Sequence, residues 1–137
     1  LHSIYFDFSF SGLKTSVLTI NRQQSLDDAG RADLAAEFQE AVTEVLLAKA
    51  MSALRSSRMK RLVVAGGVGA NQRLRERLDA AARKIGARVY YPELALCTDN
   101  GAMIAFCGAQ RLLAGAKGDT SGIFAIRPRW PLQELQE

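Results

Sequence analysis

Hydrophobic positions along the chain change period several times, and each change predicts an element. Phe6, Phe8 and Phe10 alternate with Asp7, Ser9 and Ser11, the two-residue period of a half-buried strand. Ser11-Gly12 breaks the alternation, and Leu13, Val17, Leu18 and Ile20 predict a helix through about Ile20. The polar run from Gln23 to Gly30 reads as a loop. Beyond it Leu34, Phe38, Ala41, Val42, Val45, Leu46, Lys49 and Met51 form an apolar stripe. They predict a long helix from about Asp27 or Arg31 to Arg55, with its stripe as core packing. Ser56, Ser57 and Arg58 end that helix. Leu62, Val63, Val64 and Ala65 are a short, β-branched apolar run, which predicts a buried strand. Leu74, Leu78 and Ala82 return to helical spacing, Gly86 is a helix stop, and Ala87 to Tyr91 reads as a second strand. Strand, helix and strand in that order make a βαβ unit with parallel strands.

The rest of the chain is a connection, a helix and a tail. Pro92 to Leu96 connects, and Thr98-Asp99-Asn100-Gly101 offers Thr98 or Asp99 as the N-cap of a helix running through Leu112. Gly101, Ala102, Ala105, Gly108 and Ala109 leave one side of that helix small enough for close packing. From Ala114 the chain is glycine-rich and ends in Arg127-Pro128-Arg129-Trp130-Pro131-Leu132. Pro128 and Pro131 exclude a regular helix there, and Trp130 is expected to pin the tail to the surface. At 137 residues the whole reads as one domain able to bury a core.

Composition narrows the class without naming an activity. The chain is 48% hydrophobic and 23% charged, as ordinary globular proteins are. No apolar run approaches the roughly 20 residues that span a bilayer. The N-terminus lacks the regions of a signal peptide, so no membrane association is expected and the expected compartment is the cytoplasm. The chain begins Leu1-His2-Ser3 without an initiator methionine, as a processed protein or a piece of a longer one would. Cys97 and Cys107 are too few for a disulfide framework and lack zinc-knuckle spacing; both are expected to be small buried thiols. The net charge of +4 permits an RNA or nucleotide partner without establishing one. Arg73, Arg75, Arg77, Arg83, Lys84 and Arg88 carry much of the excess and are expected on the solvent face of one helix. The aromatic-basic signature of an RNA-binding sheet is missing.

Two places could hold chemistry. Between strand and helix, Gly66, Gly67 and Gly69 open a turn. Such a turn lets backbone amides approach an anion, and the following helix adds unpaired N–H groups and the positive end of its dipole. The alternative is a tight turn that needs glycine only for its dihedrals. The dinucleotide motif G-x-G-x-x-G is not met, because Gln72 stands at the third glycine, and Glu93 follows Pro92 in the wrong context for a ribose-binding acid. The second place is Asp99, at a helix start on the same sheet edge as the glycine turn, where open α/β sheets bind ligands. Its carboxylate could cap the helix or hold a cation near a phosphate. Lys14 could meet a phosphate or an acid, or lie in solvent. The only histidine is His2, so a histidine base or a multi-histidine metal site within the chain is not expected.

The quoted stretches resemble one family. Asp7-Phe-Ser-Phe-Ser-Gly-Leu-Lys-Thr15, Ala65-Gly-Gly-Val-Gly-Ala-Asn71, Cys97-Thr-Asp-Asn-Gly-Ala-Met-Ile-Ala105 and Arg127-Pro-Arg-Trp-Pro-Leu132 look like signature blocks of the tRNA threonylcarbamoyladenosine transferases. That family was formerly labelled O-sialoglycoprotein endopeptidase, or glycoprotease. The resemblance covers essentially the whole chain, but only the C-terminal part of the family's protein. It implies an α/β chain of the actin, hexokinase and Hsp70 ATPase fold, here its C-terminal lobe, with a βαβ unit flanked by helices. It implies transfer of a threonylcarbamoyl group from threonylcarbamoyl-adenylate to N6 of adenosine 37 in tRNAs reading codons that begin with A. By the same resemblance Asp99 is a ligand of one active-site metal, iron rather than zinc. Asn71 contacts the adenylate or ATP, and Gly66 and Gly67 lie against its phosphate or ribose.

Two departures stand out. Many relatives have serine where this chain has Gly69, a change expected to leave the turn intact. The family's His-x-x-x-His metal motif, which belongs to its N-terminal lobe, is absent, so the chain alone is expected to be inactive. The implied partners are tRNA, a paralogous subunit and a small ATPase, with a homodimer as a further option through exposed apolar surface. Two other readings compete with a transferase lobe. A metalloprotease lacks any H-E-x-x-H pair. A non-catalytic interaction domain pairing with related subunits leaves Asn71 and Asp99 without a reason to be there.

Overall fold

The computed structural model describes residues 6–118 and residue 122. Its order is α1 (Ser11–Gln23), α2 (Asp28–Ser57), β1 (Arg61–Val63), a 3-10 turn (Gly67–Ala70), α3 (Gln72–Lys84), β2 (Arg88–Tyr90), a second 3-10 turn (Leu94–Leu96) and α4 (Gly101–Leu113). The chain forms two compact units, Leu1–Asp99 and Asn100–Glu137. Among the described residues no helix is long and apolar enough to cross a membrane.

In the first unit, β1 and β2 pair in parallel, with Arg61 opposite Arg88, Leu62 opposite Val89 and Val63 opposite Tyr90. The expected βαβ unit is therefore present, with α3 as its crossover. Its core is the seam between α2 and α3: Met51 and Leu54 from one helix, Leu74, Leu78 and Ala82 from the other, and Ala87 leading into β2. Leu62, Val64 and Val89 pack against this seam half-buried. The first strand is shorter and more open than its apolar run predicts, with Val63 73% exposed, because only one face of this two-stranded sheet is covered.

Helix ends follow local chemistry. Asp27 caps α2 by accepting the Gly30 amide at 2.8 Å, and Arg58 ends it in the left-handed region at φ 56°. Gly86, at φ +66°, closes α3 in a Schellman arrangement. The Gly86 amide donates to Arg83 O at 3.1 Å and the Ala87 amide to Ala82 O at 2.9 Å. Lys60 Nζ adds a bond to Ile85 O at 2.6 Å, which also anchors the entry to β1.

Several expectations are corrected. Residues 6–10 form no strand, since among the described residues β1 and β2 pair only with each other. The alternation survives as an extended segment whose Phe8 and Phe10 rings lie 5.4 Å apart. Phe6, Phe8 and Phe10 border an apolar cavity of about 470 Å³ that reaches Leu46, Val64 and Leu78. The basic residues are not one solvent face: Arg88 is on β2, and Arg75 and Arg77 turn inward. Arg77 Nη1 donates to Glu40 Oε2 and to Thr43 Oγ1, each at 3.0 Å, and Thr43 is 1% exposed. Arg73 grips the same Glu40 carboxylate. In the second unit α4 is capped by Asn100, neither Thr98 nor Asp99, with its side chain accepting the Met103 amide at 2.9 Å. Cys97 is buried, whereas Cys107 is exposed. The expected tail at Arg127–Leu132 and its Trp130 lie outside the described residues.

The α2–α3 staple makes stability sensitive to acid. The Arg73 hydrogen bond, reinforced by the charges of Arg73 and Arg77, outweighs partial desolvation and holds the Glu40 carboxyl below its usual 4.5. A carboxylate shifted down stabilises the fold above its unfolded value, and that contribution is lost as pH falls through the folded one. Urea unfolding followed against pH is therefore expected to show stability falling below about pH 4.5. Glu40→Gln should flatten that acid limb while leaving its slope near neutrality unchanged.

Candidate functional site

The carboxyl edge of the β1–β2 pair gathers the glycine turn and the segment that leads to Asp99. Val64 pairs its amide with Tyr90 O at 3.0 Å, and the chain then leaves the sheet at Gly66, φ +87° and ψ 170°. That region is open essentially to glycine alone, so Gly66 is required by dihedral. Gly67 starts the 3-10 turn, and Gly69 closes it by donating its amide to Gly66 O at 2.9 Å. A methyl group built on Gly67 would stand 3.8 Å from Thr98 Cγ2, which places the residue before Asp99 against the turn. Asp99 itself is exposed and is not the cap of α4, so the capping alternative for its carboxylate does not hold.

Asn71 ends the turn and starts α3. Its Oδ1 accepts the Leu74 amide at 3.0 Å as the helix N-cap, and its Nδ2 donates to Gln39 Oε1 of α2 at 3.1 Å. An amide nitrogen carries two hydrogens, so one donor remains at Nδ2 for a ligand. The amides of Gln72 and Arg73, in the first turn of α3, have no intrahelical acceptor. They lie at the positive end of the helix dipole, and Gly66 and Gly67 before them are exposed. A glycine turn leading into a helix N-terminus is a place that anions can approach.

Arg75 holds the site together. Its Nε donates to Gly69 O at 2.6 Å, and its Nη2 donates to Pro92 O at 3.1 Å and lies 3.3 Å from Cys97 Sγ. The guanidinium also stacks 4.5 Å from the centre of the Tyr91 ring. Tyr91 completes the net by donating toward Arg75 O at 3.2 Å and Asp79 Oδ1 at 3.1 Å. Burial, then the Asp79 charge and hydrogen bond, push the Tyr91 hydroxyl above the ordinary tyrosine range, with Arg75 opposing. Sequence reasoning placed Arg75 in solvent and gave Tyr91 and Gln39 no part. Their contacts join positions 16 to 32 residues apart, and no local pattern announces them.

A metal is a different matter. Among the described residues no three of His, Cys, Asp and Glu come together as a group that could hold a metal ion. The described residues alone do not fit a metal centre. Lys14 is exposed on α1, on a groove shared with Arg31 and Phe38, and belongs to neither loop of the site.

A model of the family described as tRNA N6-adenosine threonylcarbamoyltransferase matches residues 2–106, which takes in the turn, Arg75 and Asp99. The chain belongs to the tRNA N6-adenosine threonylcarbamoyltransferase family. A threonylcarbamoyltransferase of Bordetella petrii is 60% identical over 98% of this chain and 40% of its own length. One from Aromatoleum aromaticum is also 60% identical, over 94% of this chain and 38% of its own. One from Methylobacillus flagellatus is 55% identical over 100% of this chain and 40% of its own. The chain thus spans about 40% of the length of the threonylcarbamoyltransferases it matches.

The two kinds of glycine in the turn separate by substitution. Gly66→Ala is expected to cost about 1–3 kcal/mol, because its dihedrals exclude a side chain. Gly69→Ser should be tolerated: a Cβ there meets Val64 Cγ1 at 3.4 Å, ordinary contact, and the backbone is not in the left-handed region. Urea unfolding of both variants measures the contrast. Arg75→Ala should lower stability by about 2 kcal/mol through its lost charge-assisted bonds. Amide hydrogen exchange should then rise in both the glycine turn and the 92–97 connection, because one side chain ties them.

Proposed function

We propose that this chain is the C-terminal lobe of a transferase with the actin, hexokinase and Hsp70 ATPase fold. The enzyme moves the threonylcarbamoyl group from threonylcarbamoyl-adenylate to N6 of adenosine 37 in tRNAs reading codons that begin with A. The observation that carries this reading is the meeting of an anion-binding turn with the Thr98–Asp99 segment at one sheet edge. Family membership supports it independently. The adenosine N6 attacks the carbamoyl carbon, a C–N bond forms, the mixed-anhydride C–O bond breaks, and adenylate leaves as the amine gives up its proton. Charge grows on the departing phosphate during that step. The backbone of Gly66 and Gly67 and the first amides of α3 lie against this phosphate and stabilise it, while Asn71 orients the nucleoside through its remaining amide hydrogen.

Asp99 would hold a divalent metal, iron in preference to zinc, together with ligands from outside the described residues, and that metal would polarise the carbamoyl group. One carboxylate does not hold such an ion by itself, and the 137-residue chain alone is accordingly inactive. The working assembly is cytoplasmic and includes tRNA, a paralogous subunit and a small ATPase. Asp99→Ala in the full gene product, as the only copy in the cell, should abolish threonylcarbamoyladenosine in digested tRNA, as read by mass spectrometry. Normal levels of the nucleoside in that strain would sink the assignment.

A further inference from the structure

We propose that the amino edge of the β1–β2 pair, opposite the glycine turn, docks the phosphate backbone of an RNA stem. The identification of that RNA as tRNA rests on the reading above; the surface itself rests on charge and geometry. Three chain segments deliver cations to this edge. Arg58, Lys60 and Arg61 lead from α2 into β1, Arg83 and Lys84 form the last turn of α3, and Arg88 opens β2. All are exposed. The segments are tied to one another here, since Lys60 Nζ reaches Ile85 O at 2.6 Å and the Arg88 amide donates to Lys60 O at 2.8 Å.

The arrangement is costly to the protein alone. Arg61 and Arg88 are register partners on neighbouring strands, so their side chains leave the same face about 5 Å apart. Like charges placed directly opposite destabilise a sheet, and an anion laid across them relieves the cost. The chain segments that carry these cations hold no acid of their own: none occurs between Glu44 and Glu76, nor between Asp79 and Glu93. The ion pairs among the described residues use Arg31, Arg73 and Arg77 and none of these cations. Asp79 is one carboxylate against this group of cations: it lines the cleft with Arg83 and Arg88 and also accepts the Tyr91 hydroxyl at 3.1 Å through Oδ1.

The chemistry favours RNA over a lipid surface. Most of these cations are arginines, whose planar forks match phosphate oxygens in pairs. Arg88 lies 5.2 Å over the exposed Tyr90 ring, a flat platform suited to a base or sugar. From Arg61 to Gly66 the chain advances about 16 Å, at the rise of an extended strand. A stem gripped at one edge can therefore present a loop nucleotide to the other.

The test is tRNA binding by the full gene product, measured by fluorescence anisotropy with a labelled transcript over a range of salt. The variant carries Arg61→Gln, Arg83→Gln, Lys84→Gln and Arg88→Gln together; a control removes charge elsewhere through Arg22→Gln and Arg111→Gln. The four-site variant should bind about tenfold or more weakly, with a log–log salt slope shallower by about 3.6, since each lost phosphate contact removes about 0.9. Its affinity for ATP should not change. Arg61→Gln alone, at an exposed position, should lower the slope by about 1 and serves should the fourfold variant not fold. Unchanged affinity and slope, an equal loss in the control, or patch-dependent binding to anionic lipid vesicles with none to tRNA would each overturn the proposal. Patch-dependent binding of RNA hairpins, in a protein whose Asp99→Ala variant still makes the modified nucleoside, would uphold the surface and reject the transferase reading.

Discussion

At the carboxyl edge of a small parallel sheet the chain leaves strand order twice, and each departure exposes backbone carbonyls that the ladder no longer pairs. In this protein one guanidinium meets both. Arg75 takes Gly69 O from the first exit and Pro92 O from the second, packs on Tyr91 and touches the Cys97 sulfur. A planar group with several fixed donors can do this where a lysine ammonium could not reach all the acceptors with the same geometry. The glycine turn and the 92–97 connection belong to separate stretches of sequence and are tied together by this side chain.

The same economy of polar contacts joins α2 to α3. Leu54, Leu74 and Leu78 supply the apolar seam, and Glu40 accepts both Arg73 and Arg77 at its solvent margin. Asn71 also reaches across to Gln39 on α2, which ties the end of the glycine turn and the start of α3 to that helix.

Membership of the threonylcarbamoyltransferase family gives this geometry a chemical setting, while the described residues bound what the chain can do. Among the described residues it presents a glycine turn ahead of the α3 N-terminus and one exposed carboxylate, Asp99, and no group of three or more His, Cys, Asp and Glu that could hold a metal. The chain covers about 40% of its relatives' length. The mix of charges divides by edge: the glycine turn and Asp99 at one, arginines and lysines outside the salt bridges of the described residues at the other.

Much of the architecture was legible in residue order alone. The stripe from Leu34 to Met51, the repeat Leu74–Leu78–Ala82 and the stops at Arg58 and Gly86 depend on contacts within a few residues, so period and dihedral preference determined α2, α3, the parallel pair and the glycine turn. Tertiary structure decided the rest. Whether Phe6–Phe10 becomes a strand depends on a partner ladder that alternation cannot supply. Which of Thr98, Asp99 and Asn100 caps α4 depends on backbone register, since all three can cap. Whether Arg75 faces water or two carbonyls depends on loops many positions away. An arginine looks the same in sequence in either place, because its role is set by acceptors that only folding brings within reach.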